Sequence, residues 1–306
     1  MGNYLFKRII AMLITLWFVA TITFFLMHAI PGGPFTRERE LPPEVVEALN
    51  EKYHLDDPLY KQYYEYLKGI VTFDLGASMT MIGTSVNHLL AKGFPVSAKI
   101  GGLAALFVLI IGIPIGITSA LKQNSIIDYI VTIFATIGVA VPNFVIATLY
   151  IYIFSSVLNW VPSFGLNSWS NYIGPVLALS FFSLAFVMRL MRSSMLDVMQ
   201  NDYIRTARAK GLPEKVVIFK HALKNAIIPV ITYMGPMIAA ILTGSFVIEK
   251  IFALPGMGKY FIESVGNRDY TVLMGITVFY AAFSIFMIFL VDLAYGFVDP
   301  RIKLGE

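Results

Sequence analysis

The chain has 306 residues, of which 57% are hydrophobic and 14% charged, with a net charge of +4 and no cysteine. A soluble domain runs nearer roughly 45–50% apolar and about 25% charged, so a soluble fold of this length could not hide the excess in one core. The composition points to lipid as the solvent, and the missing cysteines exclude a disulfide framework, a thiolate metal site and a cysteine nucleophile.

The first apolar run, Ile9–Ile30, follows Lys7 and Arg8. It is longer than a signal-peptide core of roughly 7–15 residues, and no small-residue cleavage site follows it. At about 1.5 Å per residue it reaches about 33 Å, enough to cross the hydrocarbon layer, so it reads as a retained first span.

The next segment, 31–95, reads as a small helical extracytoplasmic subdomain. Pro42 and Pro43 precede Glu44, and Val45, Val46, Leu49 and Tyr53 fall on one helical face. Asp57-Pro58 has the form of a cap followed by proline at the first helical position. Behind it Leu59, Tyr63, Tyr66, Leu67 and Ile70 form a second stripe, and a third short helix is expected from about Ser85.

Five more apolar stretches follow in residues 96–306: Val96–Leu121, Tyr129–Leu158, Gly174–Met188, Ala226–Ile248 and Thr271–Tyr295. The third of these five is short and is expected to continue past Arg189. The chain therefore reads as an all-α membrane protein with six transmembrane helices. The Gly112–Gly116 pair is a small-residue pattern at spacing four, equally consistent with helix packing and with the ordinary frequency of glycine in membrane helices. Pro142, Pro229 and Pro236 suggest kinks.

Lys and Arg set the orientation. Six spans put both termini on one side with Lys7, Arg8, Lys122, the eight basic residues from Arg189 to Lys224, Arg301 and Lys303. The other side carries six basic residues between Arg37 and Lys92, then Lys250, Lys259 and Arg268, diluted by nine acidic ones between Glu38 and Asp74. The expectation is a multi-pass protein of a bacterial cell membrane with both termini cytoplasmic.

Chemistry-bearing motifs are few. Gly256-Met-Gly-Lys259 imitates a phosphate loop, but Ala253 and Tyr260 occupy the positions of its first glycine and its Ser/Thr, so it reads as a turn and no nucleotide site is expected. His28, His54, His88 and His221 have no metal-ligand spacing. Lys99, Asp128, Arg189, Glu249 and Asp292 fall near span ends, where such side chains ordinarily snorkel to the interface. Neutral span centres argue against a proton relay.

One stretch remains, the basic loop 189–224. Tyr203–Lys210 is rich in helix formers, Gly211-Leu-Pro213 stops the helix, and Glu214 opens a second one with Val216, Val217 and Phe219 among basic residues. A loop that only fixed topology would need no such build. A nucleic-acid surface would need base-stacking aromatics that are missing here. The stretch reads as a structured docking surface for a soluble partner.

These residues resemble the EAA loop of ABC importer permeases. Arg205-Thr206-Ala207 takes the place of Glu-Ala-Ala, Gly211 that of its glycine, and His221-Ala-Leu-Lys224 that of Ile-x-Leu-Pro. Tyr203–Pro213, His221–Pro229, Gly244–Glu249, Leu254–Gly258 and Asn267-Arg-Asp-Tyr270 resemble the signature of the peptide/nickel subfamily, closest to oligopeptide permeases of the B type. Pro31–Pro34, Leu41–Glu44, Lys52–Asp56 and Asp74-Leu-Gly76 are similar too, so the resemblance runs to Asp299-Pro300.

It implies the type I ABC importer permease fold and a pore-forming subunit without its own ATPase site. Its partners would be a second homologous permease, two subunits that bind ATP-Mg, and an external peptide-binding protein. Tyr203, Arg205, Thr206, Ala207, Arg208, Lys210, Gly211 and Leu212 would form the ATPase-docking site, with no catalytic, metal or cofactor residue in the chain. A dipeptide or nickel permease, or a self-sufficient secondary transporter, are the alternative readings.

Overall fold

The computed structural model describes residues 2–31, 33–35, 42–242 and 246–298. The sequence readings at Gly32, 37–41, Gly244, Ser245 and Asp299 onward lie outside the described residues. The described chain is built of α-helices and forms two compact units, one from residues 1–97 and 255–286, the other chiefly from 98–254.

The first unit begins with α1 (Gly2–Ala29), α2 (Pro43–Lys52) and α3 (Leu59–Thr72). The two apolar stripes of residues 45–70 fall on α2 and α3, with Tyr53 at the C-cap of α2 and one correction at a start. Pro58, not Asp57, is the N-cap residue of α3, and Asp57 instead takes Lys61 at 3.0 Å one turn on. Proline at the cap fixes φ near −54° and supplies no side-chain acceptor, so the helix opens one residue later. The α3 stripe closes on α1: Tyr63 and Tyr66 pack against buried Phe24, the Thr21 and Tyr63 hydroxyls meet at 2.7 Å, and His28 bonds Gln62 at 3.0 Å.

The expected short helix near Ser85 is not separate. It is the first part of α4 (Val86–Leu121), which runs unbroken for 36 residues through Pro95 and Pro114. The second unit continues with α5 (Ile126–Ala140), α6 (Asn143–Tyr150), a π-helical stretch Ile151–Val157, α7 (Ser170–Met199) and α8 (Asp202–Ala209). After these come α9 (Glu214–Val216), a π-helical turn Val217–Ala222, α10 (Leu223–Ala226), α11 (Ile228–Leu242) and α12 (Phe246–Ile251). The chain then enters α13 (Met257–Asn267) of the first unit, directly after the Leu254-Pro255-Gly256 turn, and closes with α14 (Tyr270–Val298).

Among the described residues five stretches are long and apolar enough to cross a membrane, six if one bent pair counts as a single span. That pair is the stretch Tyr129–Leu158, read as one span from its composition. It bends by 105° between Ala140 and Asn143. Pro142 is the cause: it lacks an N–H and forces the residue before it out of the helical region, and Val141 is accordingly extended at φ −90°, ψ 124°.

Helix α7 extends past Arg189 as expected and is the hub of the second unit. Met188, Met191, Met195, Ser180 and Ser183 on it are buried. Gly112 and Gly116 of α4 face it. A Cβ on Gly116 would stand 2.8 Å from the Met188 carbonyl oxygen, and one on Gly112 would stand 3.1 Å from Val187. The spacing-four pattern is therefore a helix-packing face.

Candidate functional site

The basic loop after α7 folds as a helix, a turn and a second, irregular helix. Helix α8 buries Ile204 and Ala207 and packs on the π-helical turn, where Val217 and Ile218 are also buried. Its end is a Schellman motif. Gly211 N–H donates to Arg208 O at 2.9 Å, and Leu212 N–H donates to Ala207 O at 3.4 Å. Gly211 has φ +74°, the left-handed region that favours glycine. Pro213 then opens α9, where its missing N–H leaves no ladder bond unmade.

This turn brings Arg208 back onto Glu214: Nη2 donates to one carboxylate oxygen at 2.6 Å and Nε to the other at 3.2 Å. The Arg208 guanidinium holds the Glu214 carboxyl below its ordinary value, and the carboxylate raises the guanidinium. Tyr203, Arg205, Thr206, Lys210 and Gly211 are exposed, and Leu212 is half-buried. Ala207 is different. It is 6% exposed, with its side chain packed inside its own chain beneath the exposed residues. Arg205 pairs loosely with Asp202 at 3.4 Å, and the Thr206 hydroxyl donates back to Asp202 O.

The segment is tied to the spans behind it. Asn225 Nδ2 donates to the Tyr203 hydroxyl at 2.9 Å, and Ser194 Oγ of α7 donates to Ala226 O at 2.7 Å. Two residues before Ser194, Arg192 grips Asp128 of α5 with Nε at 2.5 Å and Nη2 at 2.7 Å. Ser119 of α4 and the Asn124 N–H complete the carboxylate's set at 2.6 and 3.0 Å. Asp128 is 3% exposed. It does not snorkel to an interface, because four donors replace the water it would reach. Lys99, in contrast, is exposed, bonded to the Tyr172 hydroxyl at 3.0 Å and set over the Trp169 ring.

Sequence reading also missed Asp269. It is fully buried, caps α14 by accepting from Val272 N–H, and accepts from Ser78, Met79 and Thr80 nearly two hundred residues earlier. Its signal was present as Asp before the apolar run at Thr271, which is a cap pattern.

Apolar helices long enough to cross a membrane, with a compact basic segment hydrogen-bonded to the end of one of them, are the build of a multi-pass membrane protein. Residues 112–304 match the family described as binding-protein-dependent transport system inner membrane component, and residues 1–100 match its N-terminal region. The chain belongs to that family, the membrane permeases of ABC importers. It is 50% identical over its whole length to 99% of the dipeptide transport system permease protein DppB of Bacillus subtilis. Over 99% of its length it is 44% identical to the entire oligopeptide transport system permease protein OppB of Salmonella typhimurium. Its fold matches a chain of the inward-facing MetNI methionine ABC transporter with a TM-score of 0.58 at 18% identity, covering 69% of this chain and 96% of that one.

Proposed function

We propose that the chain is a translocation-pathway subunit of an ATP-driven peptide importer, paired with a second homologous permease. In this reading two ATPase subunits, which alone bind ATP-Mg, dock on residues 202–224. An extracytoplasmic binding protein delivers the peptide, and both termini lie in the cytoplasm with the docking segment. Chemistry in this chain is confined to binding and movement, and hydrolysis belongs to the partners.

The observation that carries the reading is the Schellman turn at Gly211. It folds Arg208 onto Glu214 and presents Tyr203, Arg205, Thr206 and Lys210 on one exposed, preorganised knob. The relatives named for peptide transport supply the cargo class. The relative named for dipeptides, at 50% identity, favours short peptides as a second form of the same reading. Competition of di-, tri- and pentapeptides for uptake by the assembled complex separates the two.

The test replaces Gly211 by valine in the complex reconstituted into vesicles. A Cβ there meets no atom within 4 Å, so the strain is that of the backbone alone. A β-branched residue in the left-handed region costs roughly 1–2 kcal/mol or more, so peptide uptake per ATP hydrolysed is expected to fall about tenfold while membrane insertion persists. Uptake at the wild-type ratio would overturn the assignment of the docking segment.

A further inference from the structure

Asp128 and Arg192 lie behind the docking segment, and nothing in the docking surface requires them. An ionised pair within candidate membrane spans is costly unless every charge is matched, and apolar residues of similar volume hold helices together as well or better. Stability alone therefore does not account for the pair. Its geometry supplies register. Four donors from three separate places, Ser119 on α4, Asn124 in the α4–α5 turn and Arg192 on α7, converge on one carboxylate of α5. Other contacts of α5 with α7 are apolar, Gly138 against Ala185 and Phe134 edge-on to Phe181, and such packing sets distance more sharply than register. Directional bonds of 2.5 to 3.0 Å do not survive a slide of even part of a helical turn.

The pair is also joined to the docking segment. Arg192 is followed by Ser194, which holds the Ala226 carbonyl, and the adjacent Asn225 holds the hydroxyl of Tyr203 on α8. We infer that Asp128 and Arg192 are positioning residues for coupling: they clamp α4, α5 and α7 in register, so that displacement of the docking segment carries α4 and α5 with it. This inference rests on residues 202–224 being the ATPase-docking site.

The experiment uses the complete complex in vesicles and reads peptide uptake and ATP hydrolysis together. Because the chain has no cysteine, the double variant Asp128→Cys/Arg192→Cys can be studied open and then bridged by a short bifunctional thiol reagent. Open, its uptake per ATP hydrolysed is expected to fall about tenfold, within the usual span of a coupling between sites. Bridged, the ratio is expected to recover most of that loss.

A wild-type ratio in the open form overturns the inference, and so does a loss that bridging does not repair. Should the double cysteine variant fail to assemble, Arg192→Lys decides the matter. It keeps the charge but not the two-pronged grip, so a several-fold lower ratio supports the clamp, and an unchanged ratio refutes it. If the unaltered complex itself shows no ATP-driven uptake, the importer reading fails. If it transports and these variants match it, only the clamp fails.

Discussion

Arg208 and Glu214 are six residues apart, and they meet only because the Gly211 turn reverses the chain between them. Both side chains are about half exposed, so solvent screens the pair and its contribution is limited to about 0.2–1 kcal/mol. Its role is to hold the turn closed. Glu214→Gln is expected to weaken ATPase-subunit binding by less than about fivefold, measured by titrating the detergent-solubilised permease with those subunits. Since Arg208 depresses the Glu214 carboxyl, the pair's contribution is full above the ordinary carboxylate range. It is lost as pH falls through the lowered value. Amide exchange across residues 202–216 is expected to accelerate there in the wild type, relative to the rest of the chain, and to show no such step in Glu214→Gln.

The position of the turn and its glycine was legible in the local order Gly-Leu-Pro. The roles of single side chains were less so. Arg208 was read as a contact for a partner, and it is also held from within. The resemblance alone sets Ala207 among the docking residues, and its spacing of three from Ile204 puts both on the inward face of α8. Amphipathic reading of an eight-residue helix would have found this.

At the scale of elements, small residues decide where the second unit is closest packed. A Cβ on Gly116 would press on the Met188 carbonyl, and one on Gly138 would overlap the Cβ of Ala185, whereas Gly102 on the same α4 faces open space. Gly116→Val is expected to destabilise the purified permease by about 1–3 kcal/mol through overpacking against α7. Gly102→Ala is expected to leave it unchanged or slightly more stable, and thermal unfolding in detergent checks both. Equal effects of the two would mean that α4 does not approach α7 through its glycine face. Hydropathy showed that α7 exists but could not show that it is the hub. Its buried face carries Ser180 and Ser183 beside methionines, which lowers apolar content where packing is tightest. The 105° bend at Pro142 was legible as a kink but not in its size, which carries the helix past the perpendicular. Proline fixes the local break, while packing on α7 and α12 sets the angle.

At the scale of the whole molecule, chain order misleads where distant segments share a unit. Residues 255–286 belong with 1–97, and the carboxylate of Asp269 that helps to hold them together takes its partners from residues 78–80. No local period encodes a contact across some 190 residues. Charge asymmetry, in contrast, acts through the chain's total and survives this ignorance of packing. Thirteen basic residues on the side of the termini, against nine on a side that holds nine acidic ones between Glu38 and Asp74 alone, predict where the docking segment faces. The cysteine-free chain makes the prediction direct to test. Single cysteines at Lys210 and at Tyr64, both exposed, mark the docking segment and α3. In right-side-out spheroplasts a membrane-impermeant maleimide is expected to label Tyr64→Cys at once and Lys210→Cys only after permeabilisation. The reverse pattern would put the knob on the face without ATP. No ATPase could then dock on it, and the importer mechanism would fail for this chain whatever its relatives do.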